Sequence, residues 1–600
     1  MAPAPWFRSR PARVGGRVAL VAAALALGVV SQVRAEEACG PVTDTRCASL
    51  AAPAGDPFPT LERTLARVLG TVGVGKPAVA ATDDPVHHLA WALTDVRSLD
   101  LASRDGGPAV QSPSVRRWID VDLRAGNARI DSMHKLRDGW VDDGRRAATA
   151  PLDDVGRPLE ELLVVATDDA YRAARKRLLA VRANARVKVA REDTSDDWSS
   201  APVVRHDVAP PVLEVDVATW APRVAAAGRA LAGGAGVHAS GVSLNALRTE
   251  RWFLDSAGTR IHDGRVHLRL SAWAATTADD GMNLSAYDYV DVASPGHLPD
   301  AAATEALVKG VLAKLQGLRS APPVEPYSGP AILRGRAAGV FFHEIFGHRI
   351  EGHRQKDEDE GQTFTKRVGL PILPAFLDVT DDPTLARLGS IDLNGHYAFD
   401  DEGVAAQRVP LVEKGVLRNF LMSRAPIAGF GASNGHGRRE PGNTPVSRQG
   451  NLMVTSSQTV PYARLREQLI AETKRQGKPF GLVFDDISGG FTFTGRSTPN
   501  AFAVQPVTVW KVYTDGRPDE LVRGVDLIGT PLTTFSRILA AADDRDVFNG
   551  MCGAESGWVP VSASAPSLLV SEVEVQRQEK GNDRPPILPP PSPATVGGAR

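Results

Sequence analysis

Apolar residues recur at helical spacing in the first half of the chain and give way to strand and turn patterns in the second half. Between the helical segments, residues 114–123 and 126–133 are predicted to form paired strands, and the pattern over 237–289 is also strand-like. The pattern after residue 330 predicts an opening helix followed by many short strands and turns. The predicted helices cover 60–72, 168–189, 219–231, 304–318, 462–478 and 531–542.

This order of elements predicts an α+β protein. We expect an N-terminal mixed α/β region followed by a β-rich C-terminal domain. Prolines at 210–211 and 322–326 mark the boundaries. The predicted divisions are a signal peptide at 1–35, a flexible tether at 36–58, an N-terminal α/β region for substrate binding and dimerisation at 59–325 with a possible subdivision near 210, a C-terminal domain at 326–575, and a disordered Pro-rich tail at 576–600.

The first 35 residues have the pattern of an export signal. Four arginines, at positions 8, 10, 13 and 17, precede the apolar run 18–30, and Val33 and Ala35 supply the small residues of a cleavage site. We expect cleavage after Ala35 and an exported protein, either periplasmic or secreted; the alternative is an uncleaved anchor. No other stretch approaches 18 uninterrupted apolar residues, so no stable membrane span is expected after cleavage.

The charge balance excludes one large class of partners. The formal net charge is -1, with 23% charged and 43% hydrophobic residues. This balance gives no reason to expect nucleic acid or an anionic membrane surface as a partner. Residues 70–76 fit the G-x-x-x-x-G-K pattern of a phosphate-binding loop, but Pro77 lacks the hydroxyl and the N–H of the usual serine or threonine. Nucleotide binding is therefore not expected there.

The chain has three cysteines, an odd number for an exported protein. Cys39 and Cys47 bracket a short loop and could close a disulfide, which would leave Cys552 alone. Metal ligation would explain an unpaired thiol in an oxidising compartment. The alternative is an inert buried thiol.

Residues 341–348, which read F-F-H-E-I-F-G-H, are the most informative stretch. Two histidines flank a glutamate, as in the zinc-peptidase signature H-E-x-x-H, but the spacing here is H-E-x-x-x-H. In a regular helix, residues i and i+5 point about 140° apart, so His343 and His348 would diverge. A π-bulge or a kink beside Gly347 would realign them, and we expect an irregular helix. The alternative is a regular buried helix with two hydrogen-bonded histidines.

A catalytic zinc needs about three protein ligands and an open position. His343 and His348 supply two, and the sequence offers His353 or Cys552 as the third. His353 continues the five-residue spacing, and Cys552 lies beside glycines that permit close backbone approach. A carboxylate cluster at 400–403 could hold a hard cation, although turn formation explains it equally well.

Several motifs in a fixed order make the chain resemble the TldD/PmbA family of bacterial metallopeptidases. The resemblance covers residues 330–572, and residues 251–259, with D-S-A-G at 255–258, resemble the strand that precedes this domain in the family. Residues 36–205 match weakly. The motifs are A-A-G-V-F-F leading into H-E-I-F-G-H, E-G at 351–352, D-D at 381–382, D-D-E-G at 400–403, G-R-R-E at 437–440, S-G-G-F at 488–491, and C-G at 552–553 followed by V-P-V.

The resemblance implies a zinc ion held by His343, His348 and Cys552, with Glu344 as the general base. It favours the catalytic TldD type, which keeps H-E-x-x-x-H, over the companion type that lacks it. His353 stands where an acidic residue is expected, so it is a candidate for the surroundings of the site or for an alternative ligand.

The resemblance also implies an assembly and a substrate. Family members form dimers that enclose a cavity, and they cleave short or unfolded peptides. The best-known members are cytosolic, whereas this chain begins with an export signal. We therefore expect a homodimer, or a heterodimer with an exported TldD/PmbA-like companion.

The leading hypothesis is a zinc-dependent metallopeptidase whose β-rich catalytic domain carries a kinked zinc-binding helix. Glu344 would activate the attacking water, and the peptide would pair with an exposed strand edge. One alternative is a cysteine peptidase in which Cys552 attacks with a histidine as base; a metal chelator separates the two. The other is a non-catalytic envelope partner of a TldD-like complex, which absence of bound zinc would favour.

Overall fold

The computed structural model describes residues 55–72, 85–136, 146–187 except 154, 193–495 except 493, 502–529 and 534–577. The predicted signal peptide, the two N-terminal cysteines, residues 73–76 of the phosphate-loop-like stretch and the tail beyond 577 lie outside the described residues. The first described helix begins at Phe58, at the end of the predicted tether. None of the helices in these ranges combines the length with the apolar surface that a membrane crossing would require.

The N-terminal half is built on a seven-stranded sheet. Its strands are β1 (Val86–Arg104), β2 (Val110–Ala125), β3 (Arg146–Thr149), β4 (Arg205–Asp207), β5 (Ala239–Asp255), β6 (Arg260–Thr277) and β7 (Asn283–Val292). They lie in the order β3-β2-β1-β5-β6-β4, and β7 also pairs with β6. All pairs are antiparallel except β4 with β6. The long alternating runs of the sequence form the central strands.

Four helices cover one face of this sheet: α1 (Phe58–Val72), α2 (Arg157–Val187), α3 (Val217–Ala232) and α4 (Ala301–Ser320). On β1, Leu89 packs with α1 and α2, and Leu99 packs with α3 and α4. These odd-numbered positions share a face because side chains alternate along a strand. On the opposite face, Ala90 and Ala92 pack in a cluster that includes Phe399 of the C-terminal half.

The C-terminal half contains a small barrel. Its strands are β8 (Tyr327–Leu333), β17 (Phe480–Thr492), β18 (Phe502–Tyr513), β19 (Glu520–Val522), β20 (Val525–Gly529), β21 (Ile538–Ala541) and β24 (Leu568–Arg577). The path β17-β8-β24-β20-β18 closes on itself because β17 also pairs with β18. Strands β19 and β21 attach to β18 and β24. Helix α7 (Tyr462–Arg475) packs on the barrel through Leu465 and Leu469.

A six-stranded sheet lies beside the barrel. Its strands are β9 (Leu377–Asp381), β12 (Val409–Glu413), β13 (Val416–Leu417), β16 (Asn451–Ser456), β22 (Asp546–Ala554) and β23 (Gly557–Ala565), in the order β13-β12-β9-β16-β23-β22. Two short ribbons, β10 (Arg387–Leu388) with β11 (Ile391–Asp392) and β14 (Gly437–Arg438) with β15 (Val446–Ser447), complete this half. Strand β22 is therefore the outermost strand on one side of the sheet.

Helix α5 (Gly335–Ile345) is buried in the core of the C-terminal half, and every residue except Arg336 is buried. Two glycines allow it to lie directly on the outer strands of the six-stranded sheet. A Cβ atom at Gly339 would lie 2.8 Å from the carbonyl oxygen of Ala563 on β23, and one at Gly335 would lie 2.8 Å from Cβ of Asp546 on β22. The helix is followed by a 3-10 turn (Gly347–Arg349) and by the short helix α6 (His353–Lys356).

The α+β class and most of the predicted helices are confirmed. Helices predicted at 60–72, 219–231, 304–318 and 462–478 coincide with α1, α3, α4 and α7 within a few residues. The helix predicted at 168–189 is the second part of α2, which already begins at Arg157. The helical spacing therefore located these elements well, although it missed the beginning of the longest one.

Two local predictions are wrong. The described end of the helix predicted at 531–542 is strand β21, whose Ile538 pairs with Val570 of β24. A short apolar run fits either a helix or a buried strand, and here its pairing with β24 of the barrel makes it a strand. The strand predicted at 126–133 is a turn, because the Asn127 side chain accepts the backbone N–H groups of Arg129 and Ile130. Strand β2 pairs with β1 instead.

Candidate metal centre

The H-E-x-x-x-H stretch begins on α5 and ends beyond it. The α-helix stops at Ile345, and His348 lies on the following 3-10 turn. The two imidazole rings face the same space, with centroids 5.2 Å apart and planes at 75°. The helix is irregular, as predicted, although the change is a tightening into a 3-10 turn and not a π-bulge.

Gly347 is required at this bend by the side chain that packs against it. A Cβ atom at Gly347 would lie 1.9 Å from Oε1 of Gln449. The Gln449 side chain is fully buried, and its Nε2 donates a hydrogen bond of 3.3 Å to the carbonyl oxygen of His343. The amide of Gln449 thus occupies the space between the helix end and the turn, and only glycine at 347 leaves room for it.

The third donor comes from a distant part of the chain. Cys552 lies on the edge strand β22, and His343, His348 and Cys552 each offer a ligand atom within 4.8 Å of the others. All three residues are buried. Nε2 of His348 and Sγ of Cys552 are 3.4 Å apart. Ideal tetrahedral zinc with normal Zn–N and Zn–S bonds places such a pair about 3.5 Å apart.

The donor chemistry also fits a zinc ion. Two imidazoles and a thiolate leave one tetrahedral position open, as in catalytic sites with two histidines and one cysteine. Among the described residues, Nδ1 of His343 is buried and has no hydrogen-bond partner. A resident metal needs donors that lie close enough together to surround one ion.

The charges of the centre are coupled. Burial raises the pKa of the Cys552 thiol, but His348, Arg448 and His343 together hold it well below its usual value. Burial lowers the pKa of His343 and His348, but the Cys552 thiolate, together with Glu344 for His343 and Glu351 for His348, outweighs that effect and raises the pKa of both histidines. The centre therefore favours a thiolate among cations, and a divalent ion would displace protons from the imidazoles.

Glu344 adds a carboxylate beside the donors. Its side chain is 11% exposed, and its Oε2 lies 4.0 Å from Nε2 of His348. Burial raises the pKa of Glu344, although the cationic histidines oppose that effect. A buried carboxylate with a raised pKa is suited to accept and return a proton near neutral pH.

Comparison with known proteins identifies the lineage. Residues 326–577 match the family model described as the PmbA/TldA metallopeptidase C-terminal domain. The C-terminal domain of the chain belongs to the TldD/PmbA family. The matched range contains all the donors and Glu344. A metalloprotease TldD homolog from Haemophilus influenzae is 30% identical over 253 residues, which cover 41% of this chain and 48% of that protein.

Other relatives carry similar names. A metalloprotease of Methanothermobacter thermautotrophicus is 26% identical over 345 residues, 57% of this chain and 70% of the relative. A zinc metalloprotease TldD homolog of Saccharolobus solfataricus is 25% identical over 276 residues, 45% and 55% of the two chains. The chain spans about half the length of the first curated relatives it matches.

Solved structures show the same fold at low identity. TldE from Thermococcus kodakarensis has a TM-score of 0.53 and 14% identity, covering 86% of this chain and 100% of its own. A Thermotoga maritima protein described as a candidate modulator of a DNA gyrase has a TM-score of 0.56 and 14% identity, covering 86% and 99%. The shared fold therefore extends over both halves of the chain.

His353 lies outside the group of three donors. Its Nε2 hydrogen-bonds Glu555, whose other oxygen accepts from Arg354 at 2.7 Å. Arg354 in turn donates to Glu351, which reaches the centre. The structure thus places His353 in a network around the centre and brings Cys552, not His353, to the two histidines.

The carboxylate cluster at 400–403 forms a turn. Asp400 accepts hydrogen bonds from the backbone N–H groups of Glu402, Val404 and Gly437. Among the described residues, the group of His343, His348 and Cys552 is the one whose ligand atoms converge enough for a metal. The contacts of Asp400 therefore support turn formation and not cation binding.

No role was assigned from the sequence to Glu351, Arg448 or Gln449, which surround the donors, although Glu351 is part of the E-G motif at 351–352. Oε2 of Glu351 lies 3.3 Å from Nδ1 of His348, and the pKa of Glu351 falls to about 2 because the cations His348 and Arg354 outweigh the effect of burial. A carboxylate three residues after a candidate ligand is a signal that could have found Glu351. No signal pointed to Arg448 or Gln449, because both lie on an irregular segment about a hundred positions further along the chain.

Proposed function

We propose that this protein is a zinc-dependent metallopeptidase that hydrolyses short or unfolded peptides. The observation that carries the proposal is the convergence of His343, His348 and Cys552 within 4.8 Å, with the carboxylate of Glu344 beside them. The names of the relatives support it, since they describe metalloproteases and in one case a zinc metalloprotease.

Each residue has a defined role in this proposal. His343, His348 and Cys552 would hold the ion, and Glu351 fixes the His348 ring through Nδ1. A zinc ion at this site would supply the Lewis acidity that lowers the pKa of a water molecule and polarises the scissile carbonyl. Glu344 accepts the proton of the attacking water and returns it to the leaving amine. Burial, which raises the pKa of Glu344, brings its proton affinity closer to that needed for both transfers.

The peptide would bind along β22. Among the described residues, this strand pairs with β23 on one side and has no strand partner on the other. Cys552 lies within it, and Met551 beside Cys552 is 42% exposed. An extended peptide added to this edge would form backbone hydrogen bonds that tolerate many sequences. Its path would pass directly beside the donors.

We also propose that the protein is exported and acts as a dimer, either with a second copy or with an exported companion. The basic and apolar pattern of the first 35 residues supports export. The likeness to TldE supports a companion of the same fold. N-terminal sequencing of the protein from intact cells tests cleavage after Ala35, and light scattering of the purified protein tests the assembly.

Metal analysis tests the proposed function. Purified wild type should hold stoichiometric zinc and cleave an unstructured peptide. Cys552→Ser should lose zinc and activity, whereas His353→Ala should keep its zinc because His353 faces Glu555. A wild-type protein that neither contains zinc nor takes it up contradicts the proposal. A Cys552→Ser variant that keeps wild-type affinity contradicts the assignment of the third ligand.

A further inference from the structure

Arg448 is a charged residue with no contact to solvent. It lies between β15 and β16, is 0% exposed, and is among the largest fully buried side chains of the described residues. A guanidinium group loses its hydration when it is buried, so it persists only where nearly all of its N–H groups find partners. The partners of Arg448 therefore indicate which part of the structure this side chain positions.

Those partners lie on and around the Cys552 strand. Nη2 donates to the carbonyl oxygen of Cys552 at 2.7 Å and to its Sγ at 3.0 Å. Nη1 donates to Oγ of Ser556 at 2.8 Å and to the carbonyl oxygen of Gly557 at 3.1 Å. The guanidinium group thus spans the hairpin between β22 and β23 and contacts the sulfur itself.

The same side chain faces the second histidine through a carboxylate. Nε of Arg448 makes an ion pair without a hydrogen bond to Oε1 of Glu351 at 3.4 Å, and Oε2 of Glu351 lies 3.3 Å from Nδ1 of His348. Glu351 is 0% exposed and also accepts from Arg354 at 2.8 Å. One guanidinium group therefore joins a donor on β22 to a donor on the 3-10 turn.

We propose that Arg448 is a positioning residue of the metal centre, which fixes the Cys552 sulfur and the His348 ring relative to each other. The inference rests on the proposed zinc function. Arginine is suited to this role because its planar fork presents donors in three directions at once. Lysine carries the same charge on one nitrogen and cannot reach the sulfur, the hairpin and Glu351 together.

The test compares Arg448→Lys with Arg523→Lys. Arg523 is a matched control: it is buried, donates to the carbonyl oxygen of Ala321 at 2.7 Å and pairs with Asp280 at 3.1 Å, away from the donors. Zinc affinity is measured by competition with a chelator. The Co²⁺-substituted proteins are compared through their thiolate-to-metal charge-transfer absorption, which reports on the metal–sulfur bond and not on general stability.

We expect Arg448→Lys to weaken zinc binding about 10- to 100-fold, the usual effect of removing a group that orients a ligand, and to shift or weaken the cobalt–thiolate band. Arg523→Lys should leave both unchanged. Equal affinity and an unchanged band in Arg448→Lys would overturn the inference. Equal losses in the two variants would also overturn it, because they would indicate only the cost of altering a buried arginine.

A second variant decides the matter if Arg448→Lys does not fold. Ser556→Ala removes one anchor of the guanidinium group and keeps Cys552, His348 and Glu351. A weaker zinc affinity with a changed cobalt band supports the inference, and wild-type values overturn it. Failure of the wild-type protein to bind zinc would instead overturn the proposed function, so the two failures are distinguishable.

Discussion

Nε2 of His348 and Sγ of Cys552 lie 3.4 Å apart, although 204 positions separate the two residues in the chain. The three donors therefore come together only when the barrel, the six-stranded sheet and the helix between them are folded together. Since an ion held by such donors binds the folded chain in preference to the unfolded chain, it stabilises the fold.

Removal of zinc should lower the thermal stability of the protein. With free zinc at about 1,000 times its Kd, binding adds roughly 4 kcal/mol to the free energy of unfolding. A chelator should therefore lower the Tm of wild type, measured by calorimetry, and added zinc should restore it. The Tm of Cys552→Ser should respond much less. Equal responses of the two proteins would contradict a centre that includes the thiolate.

Glu344→Gln should keep the metal and lose the reaction. The amide keeps the size of the side chain but cannot accept a proton, so turnover of an unstructured peptide should fall by about 10²- to 10⁴-fold. Glu250→Gln, a buried carboxylate of the N-terminal sheet that contacts Arg248 and His262, is the matched control. Metal content and kcat are measured for both. A Glu344→Gln variant with wild-type kcat would rule out Glu344 as the general base.

Gly347→Ala should disturb the centre without touching a donor. The added methyl group meets the buried amide of Gln449, so the turn that carries His348 must shift, and zinc affinity should fall about tenfold or more. The double change Gly347→Ala with Gln449→Ala should recover part of the loss. Gly310→Ala is the control, since a Cβ atom at this position of α4 meets nothing within 4 Å. A Gly347→Ala variant that binds zinc as tightly as wild type would contradict the packing argument.

A chelator and a thiol reagent should separate metal-dependent hydrolysis from a cysteine nucleophile. Cys552 is 4% exposed and would be a ligand in the zinc form. The zinc protein should therefore lose peptide hydrolysis with a chelator, recover it with zinc, and react slowly with an alkylating reagent. Hydrolysis that survives the chelator and ends on alkylation would favour the Cys552 nucleophile.

Stability should decrease in mild acid because of His88. Burial lowers the pKa of His88 to about 3 from its usual 6.5. Between these values the unfolded chain binds a proton that the folded chain excludes, so stability is present above pH 6.5 and is lost as the pH falls toward 3. His88→Leu should flatten the pH dependence of the unfolding free energy, whereas exposed His238→Gln should not. An unchanged slope in His88→Leu would contradict this assignment.

Sequence patterns predicted the features that depend on residues close together in the chain. Helical spacing located most of the helices, and His343, Glu344 and His348 lie together because they are neighbours in sequence. The bend between them was expected from spacing, but its cause was not: Gln449 comes from another part of the chain. The partners of Cys552 were equally hidden, since Arg448 lies on a segment with no periodic pattern. Contacts between irregular segments leave no signal in either segment alone.

The four helices cover only one face of the N-terminal sheet, and this has a consequence for how the chain can be divided. Ala90 and Ala92 on the other face pack in one cluster with Phe399. A chain cut before residue 326 would remove Phe399 and expose more of this apolar cluster to water, even if its own helices folded. Truncation at this apparent boundary should therefore lower the solubility of the N-terminal fragment.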